Sequence, residues 1–170
     1  CKYCDFTLGD LEPRIFSFNN PQGACPACDG LGMHETVDVN KVILKDMSIN
    51  DGAIVVYNTA TSTYYPSLVK CACKHFGIPM DIPFKKLTQE QQNIVLYGND
   101  VEEIKHTYIN DEGVKRSRII YFEGVCNNIL RRYQSGMTKA TREAMAKYIK
   151  EDECQSCHGQ RLKPEILSVY

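Results

Sequence analysis

Six of the nine cysteines in this 170-residue chain lie in three Cys-x-x-Cys pairs, namely Cys1/Cys4, Cys25/Cys28 and Cys154/Cys157. A Cys-x-x-Cys turn presents two thiolates to one tetrahedral ion such as Zn²⁺, at Zn–S distances of about 2.3 Å. Two such pairs complete a closed four-thiolate site of the structural kind. The cysteines therefore indicate a metal that holds the fold together, not a catalytic pocket.

The second and third pairs share a further feature. Cys25/Cys28 continue as Cys-x-x-Cys-x-Gly-x-Gly, and Cys154/Cys157 continue as Cys-x-x-Cys-x-Gly-x-Arg. The glycine two residues after each pair lets the backbone turn beneath a metal. This likeness favours Cys25, Cys28, Cys154 and Cys157 as the ligands of one structural Zn²⁺. Pairing of Cys1/Cys4 with Cys25/Cys28 is the alternative, because their short separation is typical of zinc ribbons.

With the favoured pairing, Cys1 and Cys4 form a second, incomplete half-site whose other ligands lie upstream. Cys71, Cys73 and Cys126 fall outside the pairs and are interpreted as small apolar residues. An odd cysteine count with metal-type spacing favours a reducing, cytoplasmic location over a secreted disulfide scaffold. No apolar run approaches the roughly 20 residues that span a bilayer, so no membrane partner is expected. The start at Cys1, without Met or a signal pattern, suggests a piece of a longer protein.

Charge is distributed unevenly. The formal net charge is −1, yet residues 114–150 contain nine Lys or Arg against two acidic residues. Such asymmetry is typical of a surface that faces a polyanion. The alternative interpretation is a set of solvated helix faces.

The sequence predicts an α+β fold for the elements that would position these groups. It consists of a small insertion domain, with a β-hairpin or short sheet plus several helices, tethered to a Cys4 zinc module. We expect the zinc-module and strand segment over 1–34, the insertion domain over 35–150 and the returning zinc-module arm over 151–170. Short strands, or a strand and a turn at 50–52, are predicted over 37–54, and helices over 66–76, 88–98, 124–133 and 138–149. A hairpin is predicted from the β-rich runs 104–108 and 114–122, joined by a turn at 110–113.

Several motifs together resemble one known family. They are LEPRIFSFNNPQGACPACDGLG at 11–32, NDEG at 110–113, FEGV and RRY between Phe122 and Tyr133, and CQSCHGQRL at 154–162. In this order, and over nearly the whole chain, they resemble the UvrA family. The resemblance implies a dimeric ABC-type ATPase of the UvrABC excision nuclease, which finds damaged double-stranded DNA and loads UvrB. It also implies that this chain is the zinc module and insertion domain of the first half.

Neither a Gly-x-x-x-x-Gly-Lys-Ser/Thr phosphate loop nor a Leu-Ser-Gly-Gly ABC signature occurs in the chain. We therefore expect no enzymatic activity from this fragment alone. ATP and Mg²⁺ would be cofactors only of the intact protein.

The resemblance makes the insertion domain a candidate contact for duplex DNA, through Lys115, Arg116, Arg118, Arg131, Arg132, Lys139, Arg142 and Lys147. On a strand, Arg116 and Arg118 project to the same face. On a helix, the adjacent Arg131 and Arg132 diverge by about 100°, so only one of them is expected to face DNA. A sensor that ignores sequence favours phosphate contacts. The alternative is a protein-interaction or spacer domain that positions UvrB or the second subunit, without contact to DNA.

Overall fold

The computed structural model describes residues 12–58, 63–110, 112–136 and 138–167. The chain divides into two compact units: residues 1–36 together with 150–170, here called the cysteine unit, and residues 37–149, here called the central unit. In the part of the chain that is described, no helix has the length and apolar character needed to span a membrane.

The cysteine unit contains little regular structure. A 3₁₀ turn at Pro13–Phe16 is followed by strand β1 (Met33–Val37), and the chain returns through β4 (Ile149–Glu153) to the short helix α7 (Pro164–Leu167). β1 and β4 form a two-stranded sheet. The Thr36 hydroxyl donates to Asp152 Oδ2 at 2.7 Å, which links the two strands through their side chains.

The central unit holds most of the helices and the hairpin. Its elements are α1 (Val39–Val42), α2 (Val55–Asn58), α3 (Tyr64–His75), a 3₁₀ turn (Phe84–Lys86), α4 (Gln89–Tyr97), β2 (Asn99–Ile109), β3 (Lys115–Phe122), α5 (Val125–Ser135) and α6 (Lys139–Ala146). Helix α3 packs on β2, and α5 packs against both α4 and α6. This mixture of helices and small sheets confirms the α+β prediction.

Local signals in the sequence account for the helix ends. The Thr88 side chain accepts from Gln91 N and Gln91 Oε1 accepts from Thr88 N, which completes a capping box at the start of α4. Thr138 caps α6 by accepting from Thr141 N. Helix α3 begins two residues earlier than predicted, so Pro66 lies in its first turn, where a missing N–H costs no intrahelical bond.

Of the prediction over 37–54, the turn at 50–52 is confirmed, whereas the short strands are wrong for most of that segment. Asp38 Oδ1 accepts from Asn40 N at 3.1 Å and caps α1, and only an isolated bridge joins Ile43 to Ile54. A helix of four residues is too short to show a 3.6-residue period, so its apolar residues look like strand alternation.

The predicted hairpin is confirmed as the antiparallel pair β2–β3. Tyr108 lies opposite Arg116, His106 opposite Arg118 and Ile104 opposite Ile120. The turn is fixed by Asn110, whose Oδ1 accepts from Val114 N at 2.8 Å. Strand β2 begins five residues earlier than predicted, and an irregularity between Asn99 and Glu103 keeps that extension in the sheet.

The two units are stabilised differently. The central unit has an apolar core that includes Val42, Val95, Ile104 and Ile129, each at most 1% exposed. The cluster of buried residues described in the cysteine unit consists of Cys25, Cys28, Cys154 and Cys157 alone. In that unit, the thiols occupy the place that aliphatic side chains occupy in an ordinary core.

Candidate metal centre and nucleic-acid interface

Four cysteines from distant parts of the chain meet in the cysteine unit. The Sγ atoms of Cys25, Cys28, Cys154 and Cys157 all lie within 4.8 Å of one another, and all four residues are buried. Cys28 Sγ and Cys157 Sγ are 3.7 Å apart. Ligands of a tetrahedral ion at 2.3 Å stand about 3.8 Å apart, whereas a disulfide requires about 2.05 Å. The donor set therefore fits a four-thiolate metal site.

The backbones of the two Cys-x-x-Cys loops match residue by residue. The first, second and fourth residues after each pair all have positive φ: Asp29 (49°), Gly30 (78°) and Gly32 (81°) in one loop, and His158 (48°), Gly159 (73°) and Arg161 (67°) in the other. The sequence likeness therefore corresponds to a conformational repeat. Arg161 adopts a left-handed conformation at the position where the first loop has glycine.

Hydrogen bonds repeat in the same way. Gly32 N donates to Cys28 Sγ at 3.2 Å, and Arg161 N donates to Cys157 Sγ at 3.3 Å. Such bonds stabilise the charged thiolate over the neutral thiol. Each loop also binds the other, because Cys25 N donates to Arg161 O at 2.8 Å and Cys154 N donates to Gly32 O at 3.0 Å. The two loops thus form one reciprocal structure.

Electrostatics within the cluster favour a cation. Burial opposes ionisation of Cys25, but hydrogen bonds from Ala27, Ser156 and Cys28 outweigh it and lower its pKa to about 7. Burial and the neighbouring thiols raise the pKa of Cys157 to about 11. A divalent ion bound among the four sulfur atoms would favour their deprotonated forms.

The remaining cysteines are placed as apolar residues. Burial raises the pKa of Cys73 to about 12 and that of Cys126 to about 11, so both thiols stay neutral. The Cys71 thiol donates to Lys105 O at 3.0 Å. Cys1 and Cys4 lie outside the described residues.

The basic residues singled out from the sequence are spread over three elements of the central unit. Lys115, Arg116 and Arg118 are exposed on β3. The strand register places Arg116 and Arg118 on the hairpin face of Tyr108 and His106, as alternation along a strand requires, and Lys115 on the opposite face. Lys139 and Arg142 are exposed on α6, and Lys147 follows that helix.

The adjacent arginines of α5 have different partners. Arg131 Nε and Nη2 donate to the two carboxylate oxygens of Glu123 at 3.0 and 2.8 Å. Partial burial opposes ionisation of Glu123, but hydrogen bonds from Arg131 and Asn128 hold its pKa below the usual value. Arg132 instead lies over the ring of Tyr65, with Cζ 4.9 Å from the ring centroid. One arginine is thus engaged by a carboxylate, while the other lies beside an aromatic ring.

Two lysines also have contacts on the surface. Lys139 Nζ lies 3.6 Å from Glu143 Oε1 in an exposed pair, and Lys147 Nζ lies 5.0 Å from the centroid of the Tyr148 ring. Exposed pairs of this kind are weak, so both lysines keep their ability to bind an anion.

Sequence reasoning missed the residues that support these groups. Gly32 and Arg161 donate to the thiolates, and the shared offset of four residues after the second cysteine could have predicted both. No comparable signal links Glu123 to Arg131 or Tyr65 to Arg132, because those contacts depend on how the helices pack. These contacts of the candidate interface are therefore determined by tertiary structure and not by local sequence.

The fold and the cluster define a class of protein: one with a four-cysteine cluster, suited to a metal, whose two halves are separated in sequence by an α+β domain. A family model described as "UvrA DNA-binding domain" matches residues 38–147. "UvrABC system protein A" of Staphylococcus aureus (strain Mu50 / ATCC 700699) is 50% identical over 171 residues, covering 100% of this chain and 18% of that relative. The same-named protein of Listeria monocytogenes serotype 4b (strain F2365) is 49% identical over 99% of this chain. The chain belongs to the UvrA family.

A solved structure supports the same fold. The crystal structure of UvrA2 from Deinococcus radiodurans superposes with a TM-score of 0.72 at 23% sequence identity, over 96% of this chain and 21% of that chain. The present chain thus spans about a fifth of the length of the relatives that it matches.

Proposed function

We propose that this chain contacts the phosphate backbone of duplex DNA through its central unit and is stabilised by zinc in its cysteine unit. The proposal rests on where the exposed basic residues lie relative to the segment that matches the family model. The exposed basic residues of β3 and α6 fall within the segment that matches the DNA-binding domain model. Lysine and arginine bind phosphates without reading sequence, as a protein that searches for damage requires.

Zinc is the metal proposed for Cys25, Cys28, Cys154 and Cys157. Four buried thiolates near tetrahedral spacing are the donor set typical of structural Zn²⁺, and no position is left open for a substrate. The ion would supply the neutralising charge that holds the two loops together. Cys1 and Cys4 remain proposed as an incomplete second half-site.

In the intact protein, we propose the activity that the family resemblance implies. The chain would be the damaged-DNA-binding portion of a dimeric, ATP- and Mg²⁺-dependent ATPase that acts with UvrB in nucleotide excision repair. The name of two relatives, "UvrABC system protein A", supports this assignment. The fragment itself would not hydrolyse ATP.

Binding to a labelled 30-bp duplex at 50, 100 and 200 mM salt tests the DNA-contact proposal. We expect the logarithm of the affinity to fall linearly with the logarithm of salt concentration, with a slope of about −0.9 for each phosphate neutralised. Absence of binding at 50 mM salt would contradict the proposal.

One observation favours the alternative, a protein-interaction role. The hairpin face opposite His106 and Tyr108 exposes Ile109 (66%), Ile119 (68%) and Tyr121 (52%). Exposed apolar residues grouped on one face are typical of protein contacts. The same titration separates the roles, because a spacer domain would show no salt-dependent affinity for DNA.

A further inference from the structure

The aromatic residues of the central unit connect two of its basic sites. Arg132 lies over Tyr65, and the Tyr65 ring meets Tyr64 edge to face at 5.2 Å between centroids. Tyr64 in turn meets Tyr108 at 4.8 Å and His106 at 4.9 Å. This chain of ring contacts runs from α5, across the start of α3, to the hairpin.

The hairpin end of that chain carries two further arginines. Tyr108 lies opposite Arg116, and His106 lies opposite Arg118, so all four side chains share one face of the sheet. Both arginines are exposed. Two residues along a strand cover about 6.8 Å, which is twice the roughly 3.4 Å axial spacing of phosphates on one DNA strand. Each guanidinium can therefore contact a different phosphate.

We propose that Arg116, Arg118 and Arg132, held by Tyr64, Tyr65 and Tyr108, form one continuous surface that binds the backbone of duplex DNA; we call it the arginine–tyrosine strip. It deepens the proposed function, on which it rests, by naming the contact residues and the groups that position them. The strip draws on α3, the hairpin and α5, so it exists only when the central unit is folded.

The rings of the strip orient the arginines and do not bind bases. Tyr65 is covered on one side by Arg132 and stacks with Tyr57, at 6.0 Å between centroids and an interplanar angle of 7°. A base would have to displace one of these groups in order to stack there. A guanidinium over a ring keeps its N–H edge available for phosphate oxygens. The partner that fits is consequently a duplex, whose phosphates face outward and whose bases are already stacked.

One carboxylate lies close to the strip. Glu123 belongs to the surrounding hydrogen-bond network, and Arg131 neutralises it through two hydrogen bonds. Asn128, which donates to Glu123 at 2.8 Å, also accepts from the Tyr57 hydroxyl at 3.4 Å. The network that binds Arg131 thus also supports the tyrosine stack beneath Arg132. Arg131 thus helps to position the tyrosines of the strip, whereas Arg132 contacts the DNA backbone.

His106 adds no charge beneath the strip. The Ser67 hydroxyl donates to Tyr64 O at 2.8 Å, so its oxygen accepts from His106 Nε2 at 2.8 Å. His106 Nδ1 is then an acceptor that is buried without a partner. The ring fills space between Tyr64 and Tyr108 and keeps both in place.

Neutralising substitutions test the strip in the purified full chain, with the 30-bp duplex and a single strand of the same sequence as probes. R116Q, R118Q and R132Q should each reduce the magnitude of the salt slope on duplex DNA by about one. K86Q removes an equal charge from an exposed lysine in the 3₁₀ turn Phe84–Lys86, outside the strip, and should leave the slope unchanged. Melting temperatures close to that of the parent protein would show that the variants are folded.

The positioning role of Tyr65 is tested separately. Y65L should lower duplex affinity, because the Arg132 guanidinium loses its support. For the same reason, adding R132Q to Y65L should lower the affinity much less than R132Q does in the parent protein. Y65F keeps the ring beneath Arg132 and removes only the hydroxyl, which contacts Arg131, so the further effect of R132Q should remain. A merely structural role would make Y65L and R132Q additive in duplex affinity.

The outcomes separate this inference from the proposed function. The parent chain could bind duplex DNA with a steep salt slope while the three arginine variants show the same slope. In that case the strip does not bind DNA, and the proposed function stands. Tighter binding to the single strand than to the duplex, reduced by Y65L, would also overturn the strip in favour of base stacking. If the parent chain does not bind DNA at all, both are wrong.

Discussion

Single residues of the metal centre have roles that their neighbours cannot replace. Cys154 is fully buried, its backbone N–H binds Gly32 O in the other loop, and its thiol belongs to the four-cysteine cluster. Cys71, by contrast, is only partly buried and donates to a single carbonyl oxygen. The two positions therefore provide a matched comparison of metal ligation with ordinary packing.

Cys154→Ala should remove one zinc equivalent per chain, because three thiolates leave the ion open to water and to chelators. Metal content is measured after dialysis, by atomic emission or with a chromogenic chelator. Cys71→Ala is the control and should retain the parent content. An unchanged zinc content in Cys154→Ala would contradict the proposed ligand set.

Gly32 provides a second test at the residue scale. Its φ is +81°, and a Cβ there would lie 3.0 Å from Arg161 Cγ and from Gly159 O, within the neighbouring loop. Gly77 also has positive φ, +66°, but a Cβ there would meet nothing within 4 Å. Gly32→Ala should therefore weaken zinc affinity and lower stability by more than the roughly 1 kcal/mol that a left-handed alanine costs. Gly77→Ala should show only that cost, with parent zinc affinity in a competition titration.

At the scale of elements, the Glu123–Arg131 pair joins the start of α5 to its middle. Asn128, buried on the same helix, completes the contact through its bond to Glu123. The pair is partly exposed, with 33% of the Glu123 side chain and 53% of the Arg131 side chain accessible. Its contribution should accordingly be modest, at about 1 kcal/mol.

Glu123→Gln should lower the melting temperature by about 2–4 °C near neutral pH. The pKa of Glu123 is lower in the folded chain, so its stabilisation is fully present above the unfolded value of about 4.3 and is lost as pH falls through the folded value. The difference between parent and variant should be constant from pH 6 to 8 and shrink below about pH 4. Glu143→Gln, in an exposed pair, is the control and should have little effect. A difference that grows on acidification would refute this account.

Local sequence predicted those elements whose determinants are local. The capping box at Thr88 and the turn at Asn110 identify α4 and the hairpin without reference to the rest of the chain. The grouping of Cys25, Cys28, Cys154 and Cys157 was predictable because two loops repeat one pattern. Contacts such as Arg132 with Tyr65 were not, since they join residues far apart in sequence whose approach depends on how α5 packs near α3. The short α1 was missed because four residues carry too little periodicity.

At the scale of the whole molecule, the two units rely on different sources of stability. The central unit buries an aliphatic core, while the described part of the cysteine unit buries its four thiols as a separate cluster. In small metal modules, binding of the ion provides most of the folding free energy, on the order of 10 kcal/mol. Metal removal should therefore affect the two units unequally.

Chelation should unfold the cysteine unit and leave the central unit folded. Hydrogen exchange followed by mass spectrometry should show loss of protection over 12–36 and 150–167 on addition of a strong chelator. The core segments of 37–149 should keep their protection. Addition of zinc should restore the protection of 12–36 and 150–167. Equal loss of protection in both units would mean that the central unit depends on the metal for its stability.

The reciprocal bonds between the two loops also have a consequence for synthesis of the chain. Cys28 and Cys157 are separated by 129 positions, so the first pair leaves the ribosome well before the second is made. At 5–20 residues per second, that delay is roughly 6 to 26 s. The whole central unit is made within this interval, because it ends at Ile149, before Cys154 has been added. Until Cys154 and Cys157 are made, Cys25 and Cys28 lack their partner thiols and remain open to oxidation or to the wrong metal.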